Sequence, residues 1–484
     1  MNAVATRLAL LRLGRLVLVG HGMLLVVLAY WGLVRAPELV RRGDNARWRA
    51  AEQRIARGRI LDRRGRVLAL TERDEDGLAR RRYPLPGLAP VLGYQAWRYG
   101  AGPGDAYGSA GAEARYDAAL RGDLGRGLRS ALAAGVLHRP QQGHDLRLTL
   151  DADLQGAAAA ALAGRDGAIV VLDVHSGAVL ALASVPSFDP AGLDGGAPLA
   201  EDPSHPLLNR ATQGLYVPGS ILKLVTLAAA LEAGAVRLED VVSDGDRSES
   251  LAGLTVACGN NPPGMVRMTI EQALGWSCNL TFGRLGIALG SEAWRAKAIA
   301  FGLTESPPFP LDRAAASLGP EPGPHGAELV ASAFGQGPVL VTPLHMALMT
   351  AAIAADGILP KPYLLEDVPG VSWRSIADER GAWRRAVTPA VAEDLRRAMG
   401  WAAAEGWARP AGDAAGSAIG GKTGTAQLDG REEPHAWFVG FAPLASPRVA
   451  VAVLVAHGGE GAKVAAPIGG RVLAEALKAL AAAP

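Results

Sequence analysis

At 484 residues the chain has room for one large domain and at least one smaller one, and with 49% hydrophobic and 20% charged residues it reads as a folded globular protein. A net charge of +2, with arginines scattered among acids, gives no case for nucleic-acid binding. Two cysteines, Cys258 and Cys278, are too few for a disulfide framework, and no Cys/His cluster has zinc-ligand spacing.

Residues 16–34 (LVLVGHGMLLVVLAYWGLV) contain no Asp, Glu, Lys or Arg and are just long enough to span a bilayer, with Tyr30 and Trp31 where an interfacial belt would lie. No small-x-small cleavage site follows cleanly, which favours an uncleaved anchor. Arg7, Arg12 and Arg15 precede this segment while Arg35, Arg41, Arg42, Arg47 and Arg49 follow it, so flanking charge does not orient it. From about 57 to 123, short strand-like runs are broken by glycine, and Arg63-Arg64-Gly65 between two apolar runs reads as a hairpin turn. This part is small and charged, and a spacer or pedestal is the expected use. A linker rich in Gly and Gln ends near Asp145. Residues 146–164 then read as a strand and a helix, and 167–184 as two strands joined at His175-Ser176-Gly177.

The stretch 217–234, VPGSILKLVTLAAALEAG, organises the rest of the chain. Pro218 and Gly219 resist a helix interior and Gly234 is a natural stop, so Ser220 opens a helix. Lys223 lies one turn on, where side chains three apart are roughly 5–6 Å from each other. An amine there can take a proton from the serine hydroxyl if burial or a second cation lowers its pKa. Taken alone, Ser-x-x-Lys is also what a capping serine with a snorkelling lysine would give. Short helices and loops continue to about 355, with Ser277-Cys278-Asn279 where a helix ends or restarts and Phe334-Gly-Gln-Gly-Pro338 as a turn before an apolar helix at 343–355. The segment 420–427, GGKTGTAQ, is followed by strand runs at 435–441 and 448–457 and a closing helix at 468–482. Strands from both ends of this region suggest one sheet with a helical part inserted.

Residues 416–423, GSAIGGKT, also satisfy the phosphate-loop pattern. That loop needs a buried strand before it and a helix after it, whereas here WARPAGDAAG precedes and strand and turn residues come after. Lys422 fits better on an edge strand facing the helical part.

Ser220-x-x-Lys223, Ser277-x-Asn279 and Lys422-Thr423-Gly424, in that order, resemble the active-site motifs of penicillin-binding proteins and serine β-lactamases. Arg57-Gly-Arg-Ile-Leu-Asp62-Arg63 with Gly65, the Gly111-x-Glu113-x-x-Tyr116-Asp117 run, Leu150-Asp151 with Leu154-Gln155, and Pro218-Gly-Ser220 narrow the resemblance to class B penicillin-binding proteins. These are monofunctional peptidoglycan D,D-transpeptidases of elongation and division. The resemblance runs from the anchor almost to the C-terminus, although the pedestal is short for the family and no appended repeat domain follows.

The resemblance implies an α/β transpeptidase domain of the penicillin-binding/serine β-lactamase type, an antiparallel sheet flanked by helices with a helical subdomain. It implies a cytoplasmic N-terminus at 1–15, an anchor at 16–34, a β-rich pedestal or dimerisation-like domain at 35–145 and the transpeptidase domain at 146–484, held extracytoplasmically by a single pass through the cytoplasmic membrane. By position, Ser220 attacks the penultimate D-alanine carbonyl of a stem peptide while Lys223 takes its proton. Ser277 relays that proton to the leaving amine, Asn279 holds Lys223 and the peptide amide, and Lys422 supplies positive potential. Thr423, Gly424 and Thr425 line the substrate site, and the backbone N–H groups of Ser220 and Thr425 form the oxyanion hole. β-Lactams would acylate the same serine, and no metal or organic cofactor is implied. The implied partner for glycan polymerisation is a SEDS-family (RodA/FtsW-like) glycosyltransferase. Two rival readings stand beside this one: a D,D-carboxypeptidase or β-lactamase-like hydrolase, and a non-catalytic membrane scaffold that activates the glycosyltransferase. Cys258 and Cys278 are either paired, if their segment is extracytoplasmic, or buried as free thiols.

Overall fold

The computed structural model describes residues 3–35, 55–75, 77, 79–97, 107–124, 141–190, 199, 201–259, 261–371, 380–428 and 432–482. Arg41, Arg42, Arg47 and Arg49, which bear on membrane orientation, lie outside the described residues, as does the 125–140 part of the linker. Helix α1 (Ala3–Ala29) runs on as a π-helical stretch to Arg35. The apolar span is Thr6–Gly32. The helix therefore starts upstream of the 16–34 segment and carries Arg7, Arg12 and Arg15 in its own first half. Its apolar side chains are uncovered by protein, with Leu18 74% exposed, and it is long and apolar enough to cross a membrane.

Strands β1 (Ile60–Leu61), β2 (Val67–Arg73) and β3 (Ala79–Arg82) form a small antiparallel meander. The turn at Arg63–Gly65 falls where the sequence places it, because Asp62 Oδ1 accepts the backbone N–H groups of Arg64 and Arg66, both at 2.8 Å. Beneath it, Arg57 and Arg81 close on the fully buried Glu113 carboxylate at 3.1 and 2.6 Å. Two further strands complete the sheet: β4 (Leu146–Leu148) pairs parallel with β1, and Leu365–Asp367 pairs antiparallel with β4. The sheet of the 57–123 segment is thus built partly from strands on the far side of position 145, which tie it to the later part of the chain by backbone hydrogen bonds.

Helix α2 (Ala152–Ala161) is capped by Asp151, whose side chain accepts from the N–H groups of Asp153 and Leu154. Gln155 then exchanges two hydrogen bonds with the backbone of Leu182, at 2.7 and 3.0 Å. Leu182 belongs to the main sheet, and in that domain β5 (Gly167–Asp173), β6 (Val179–Val185), α3 (Lys223–Glu232), α4 (Ile270–Gly275), α5 (Asn279–Ala300), α6 (Gly326–Phe334), α7 (Pro343–Ala354), α8 (Pro389–Ala404), β7 (Gly420–Ala426), β8 (His435–Ala442), β9 (Val449–Val455) and α9 (Ala465–Ala481) follow in chain order. The strand order is β7-β8-β9-β5-β6, antiparallel throughout, with β7 at an edge. Strand β9, VAVAVLV, is buried along its whole length. Its period-two alternation sends Val449, Val451, Val453 and Val455 into a core with Val472 and Leu473 of α9 and Leu154 of α2, and sends Ala450, Ala452 and Leu454 into a second core with Leu344, Leu348 and Ala352 of α7. Helices on both faces explain why the strand sequence is apolar on both faces.

Helix α7 begins at Pro343, with Thr342 as N-cap in a reciprocal box with His345, and all twelve of its residues are buried. Helices α3 to α6 make up the inserted helical part. A hairpin, Ser248–Leu251 with Leu254–Ala257, also lies there and is not legible as strand from its charged, half-exposed sequence. Cys258, at the end of that hairpin, is disulfide-bonded to Cys278 with a Cα–Cα distance of 4.6 Å.

Candidate active site

The three motifs come from separate elements and meet in a cleft of about 340 Å³ at the edge of the sheet. Ser220 sits in a single 3₁₀ turn, Gly219–Leu222, that feeds α3. The opposite wall of this turn is the Phe334–Pro338 segment. Gly335, at φ +94°, closes α6 so near the turn that a Cβ there would lie 1.7 Å from the Gly219 carbonyl oxygen. Only glycine lets the end of α6 press against the backbone that carries Ser220. Ser277 lies in the break between α4 and α5 with φ +60°, a conformation few non-glycine residues adopt. The Cys258–Cys278 bond ties that break to the hairpin.

Lys223 is fully buried, and its Nζ lies 2.7 Å from Ser220 Oγ, 3.0 Å from Ser277 Oγ, 3.1 Å from the Ser277 carbonyl and 2.7 Å from Asn279 Oδ1. Lys422 is buried too, with Nζ 3.1 Å from Ser277 Oγ and 2.8 Å from the Thr423 carbonyl. Among the described residues neither lysine has a carboxylate within salt-bridge distance. Burial, and secondarily the neighbouring Lys422, holds the Lys223 amine well below the usual lysine range. Burial likewise pushes Lys422 down to about 7. The pattern of hydrogen bonds agrees with a neutral Lys223. Asn279 Oδ1 and the Ser277 carbonyl can only accept, so they use the two N–H groups of an amine, and its lone pair is left to accept from a serine hydroxyl.

Strand β7 supplies the remaining wall. Gln336 Nε2 donates to the Thr425 carbonyl at 3.1 Å from across the cleft. In an antiparallel strand the N–H and C=O of one residue point to the same side, so the Thr425 N–H also faces the cleft. The Thr425 hydroxyl oxygen accepts from the Gly461 N–H at 3.1 Å, which leaves its proton to donate elsewhere.

Residues 167–474 match the penicillin binding protein transpeptidase domain, a majority of the chain. The chain belongs to the penicillin-binding protein transpeptidase family. This transpeptidase is 38% identical over 448 residues to the peptidoglycan D,D-transpeptidase PbpA of Mycolicibacterium smegmatis, a match covering 86% of this chain and 88% of that protein. It resembles penicillin-binding protein A of M. tuberculosis in its ceftriaxone acyl-enzyme complex with a TM-score of 0.78 and 33% identity, over 88% of this chain and 100% of that one. Pseudomonas aeruginosa PBP2 in complex with WCK 5153 gives a TM-score of 0.74 at 30% identity, over 87% and 96% of the two chains. The sequence resemblance to class B penicillin-binding proteins is thereby borne out, as is the transpeptidase fold expected with it.

The transpeptidase brings all eight sequence-chosen residues to one place. Ser220, Ser277, Asn279, Thr423 and Thr425 line the cleft, Lys223 and Lys422 lie buried behind it, and Gly424 packs against Pro218. Sequence reasoning missed Phe334, Gln336, Trp407, Gln427 and Glu460, which also line it. The Phe334–Pro338 turn is legible as a turn, but nothing in its spacing says that it faces Ser220. Trp407 and Glu460 carry no motif at all.

Proposed function

We propose that this chain is a membrane-anchored peptidoglycan D,D-transpeptidase that cross-links stem peptides through an acyl-serine intermediate and is acylated by β-lactams at the same residue. The observation that carries this reading is the buried Lys223 amine, 2.7 Å from Ser220 Oγ and without a carboxylate partner among the described residues. Such an amine is a base and not one half of an ion pair. Ser220 Oγ attacks the penultimate D-alanine carbonyl and its proton passes to Lys223. The oxyanion is held by the Ser220 and Thr425 N–H groups. Ser277, bonded to both lysines, delivers the proton to the departing D-alanine amine, and Thr423 and Thr425 hydroxyls bind its carboxylate. An amine from a neighbouring strand then resolves the ester. Asn279 orients Lys223 and the donor amide.

The substrate class places the domain outside the cytoplasmic membrane, with α1 as the single-pass anchor, 1–15 on the cytoplasmic side and 35–145 as pedestal. A SEDS-family glycosyltransferase would polymerise the glycan, docking on anchor and pedestal. The deciding experiment is labelling of the purified chain with a fluorescent penicillin, wild type beside Ser220→Ala, read by gel and intact mass. A long-lived adduct on the wild type alone is the expected result. Rapid loss of the adduct would favour a hydrolase, and no adduct on folded protein would favour the non-catalytic scaffold.

A further inference from the structure

The cleft has two unlike ends. Gln427, Glu460 and Ala462 stand at the Thr425 end. At the other end the loop between α8 and the short helix Arg409–Ala415 runs beside the first half of β7, with Ala408 Cβ 3.5 Å from where a Cβ on Gly421 would be. The side chain that this loop turns into the cleft is Trp407, 40% exposed in a domain whose other large aromatics are mostly covered. An exposed indole held at a catalytic cleft is informative only if it is fixed there, and this one is. Its backbone N–H donates to the Gly275 carbonyl at 3.1 Å, and Gly406 approaches so closely that a Cβ would lie 2.7 Å from the same oxygen. Its ring meets the edge of Trp276 at 5.9 Å, and Trp276 in turn meets Trp401 at 5.8 Å. Trp276 immediately precedes Ser277, so the wall packs on the residue next to the proton-delivering hydroxyl.

If the chain is a D,D-transpeptidase, on which this inference rests, the terminal residue of the donor peptide has its amine at Ser277 and its carboxylate at Thr423. Its side chain is then left to meet a wall of the same cleft, and Trp407 is one of those walls. We propose that Trp407 is the specificity-determining wall of the leaving-group site, which admits the methyl of a terminal D-alanine and excludes larger D-residues. A rigid wall is what such a selection needs, because a mobile side chain would yield to an isobutyl group in place of the methyl.

Thioesters of benzoyl-D-alanine test this without a second peptide strand. Ser220 Oγ bonds to the acyl carbon, the C–S bond breaks, and the thiolate leaves from the terminal-residue site, where a thiol reagent counts it; water or added D-alanine resolves the ester. The pair differs only in the leaving group, one bearing a D-methyl and the other a D-isobutyl beside its carboxylate. Wild type is expected to prefer the methyl compound at least 30-fold in kcat/KM. Trp407→Ala should lower that preference at least tenfold, chiefly by accelerating the bulky compound, with Trp407→Phe between the two. A preference within twofold of wild type in Trp407→Ala, in protein that still takes up penicillin stoichiometrically, overturns the assignment, as does a wild type that does not discriminate. Loss of penicillin uptake in Trp407→Ala transfers the same criterion to Trp407→Phe. A wild type that neither labels nor cleaves either thioester fails the transpeptidase reading itself.

Discussion

Replacing Lys422 with methionine keeps most of the buried volume and removes a charge, so it isolates the electrostatic part of that residue's work. Both lysine nitrogens bond to Ser277 Oγ, at 3.0 and 3.1 Å, and so lie at most about 6 Å apart. At an effective dielectric of about 20, two unit charges at that distance repel by about 3 kcal/mol, or roughly 2 pH units. Burial is the larger cause of the depressed Lys223 pKa and survives the substitution, while the contribution of Lys422 does not. Because Lys422 itself titrates at about 7, its effect on Lys223 is full in acid and fades above neutrality. In Lys422→Met, Lys223 should hold its proton to higher pH, and the acid limb of acylation should move alkaline by one to two units. The assay is the second-order rate of acylation by a chromogenic cephalosporin between pH 5 and 9.5. The expected profile shows a loss that is greatest at the acid end of this range and shrinks toward pH 9. An equal loss at every pH with the limb in place would refute the argument and leave Lys422 a substrate contact only.

The same lysine makes a stability prediction of definite sign. With a folded pKa of about 7 against 10.5, the unfolded chain binds more protons between these values, so the Lys422 contribution makes stability rise with pH across that window and is least favourable below pH 7. Lys422→Met should therefore gain stability over wild type at pH 6, by a few kcal/mol at most, and lose that advantage by pH 10, as chemical denaturation at the two pH values will read. Reducing the Cys258–Cys278 bond, which closes a 20-residue separation, should cost about 3 kcal/mol in the same assay and slow penicillin uptake, because Cys278 lies between Ser277 and Asn279. Unchanged uptake in fully reduced protein would make the bond irrelevant to the site. Gly335→Ala puts a Cβ within 1.7 Å of the Gly219 oxygen, so it should lower stability by about 2 kcal/mol or more and acylation at least tenfold, checked by thermal unfolding beside the acylation rate.

Legibility in the sequence depends on where each constraint resides. Ser220, Lys223 and the helix after them are local, since a breaker pair, an apolar helical run and a three-residue spacing belong to one stretch of chain. The sheet was legible because β5, β6, β8 and β9 are apolar on both faces, and such runs have few other places to go. The strand Leu365–Asp367 and the hairpin at Ser248–Ala257 were not, as they are short or polar and are held by pairing with distant segments. The missed site residues fail for the same reason. Gln336 matters because its amide reaches the Thr425 carbonyl across 89 positions of sequence, and Trp407 because the Gly275 carbonyl fixes it. Motif residues carry the chemistry and repeat a spacing that geometry imposes, whereas wall residues need only fill a shape. Many side chains fill a shape, so the sequence around a wall has no pattern to find. The lysine pair stands between these cases: its spacing to serine is visible, but its protonation is a property of burial, and burial emerges only when α3, α5 and β7 close over it.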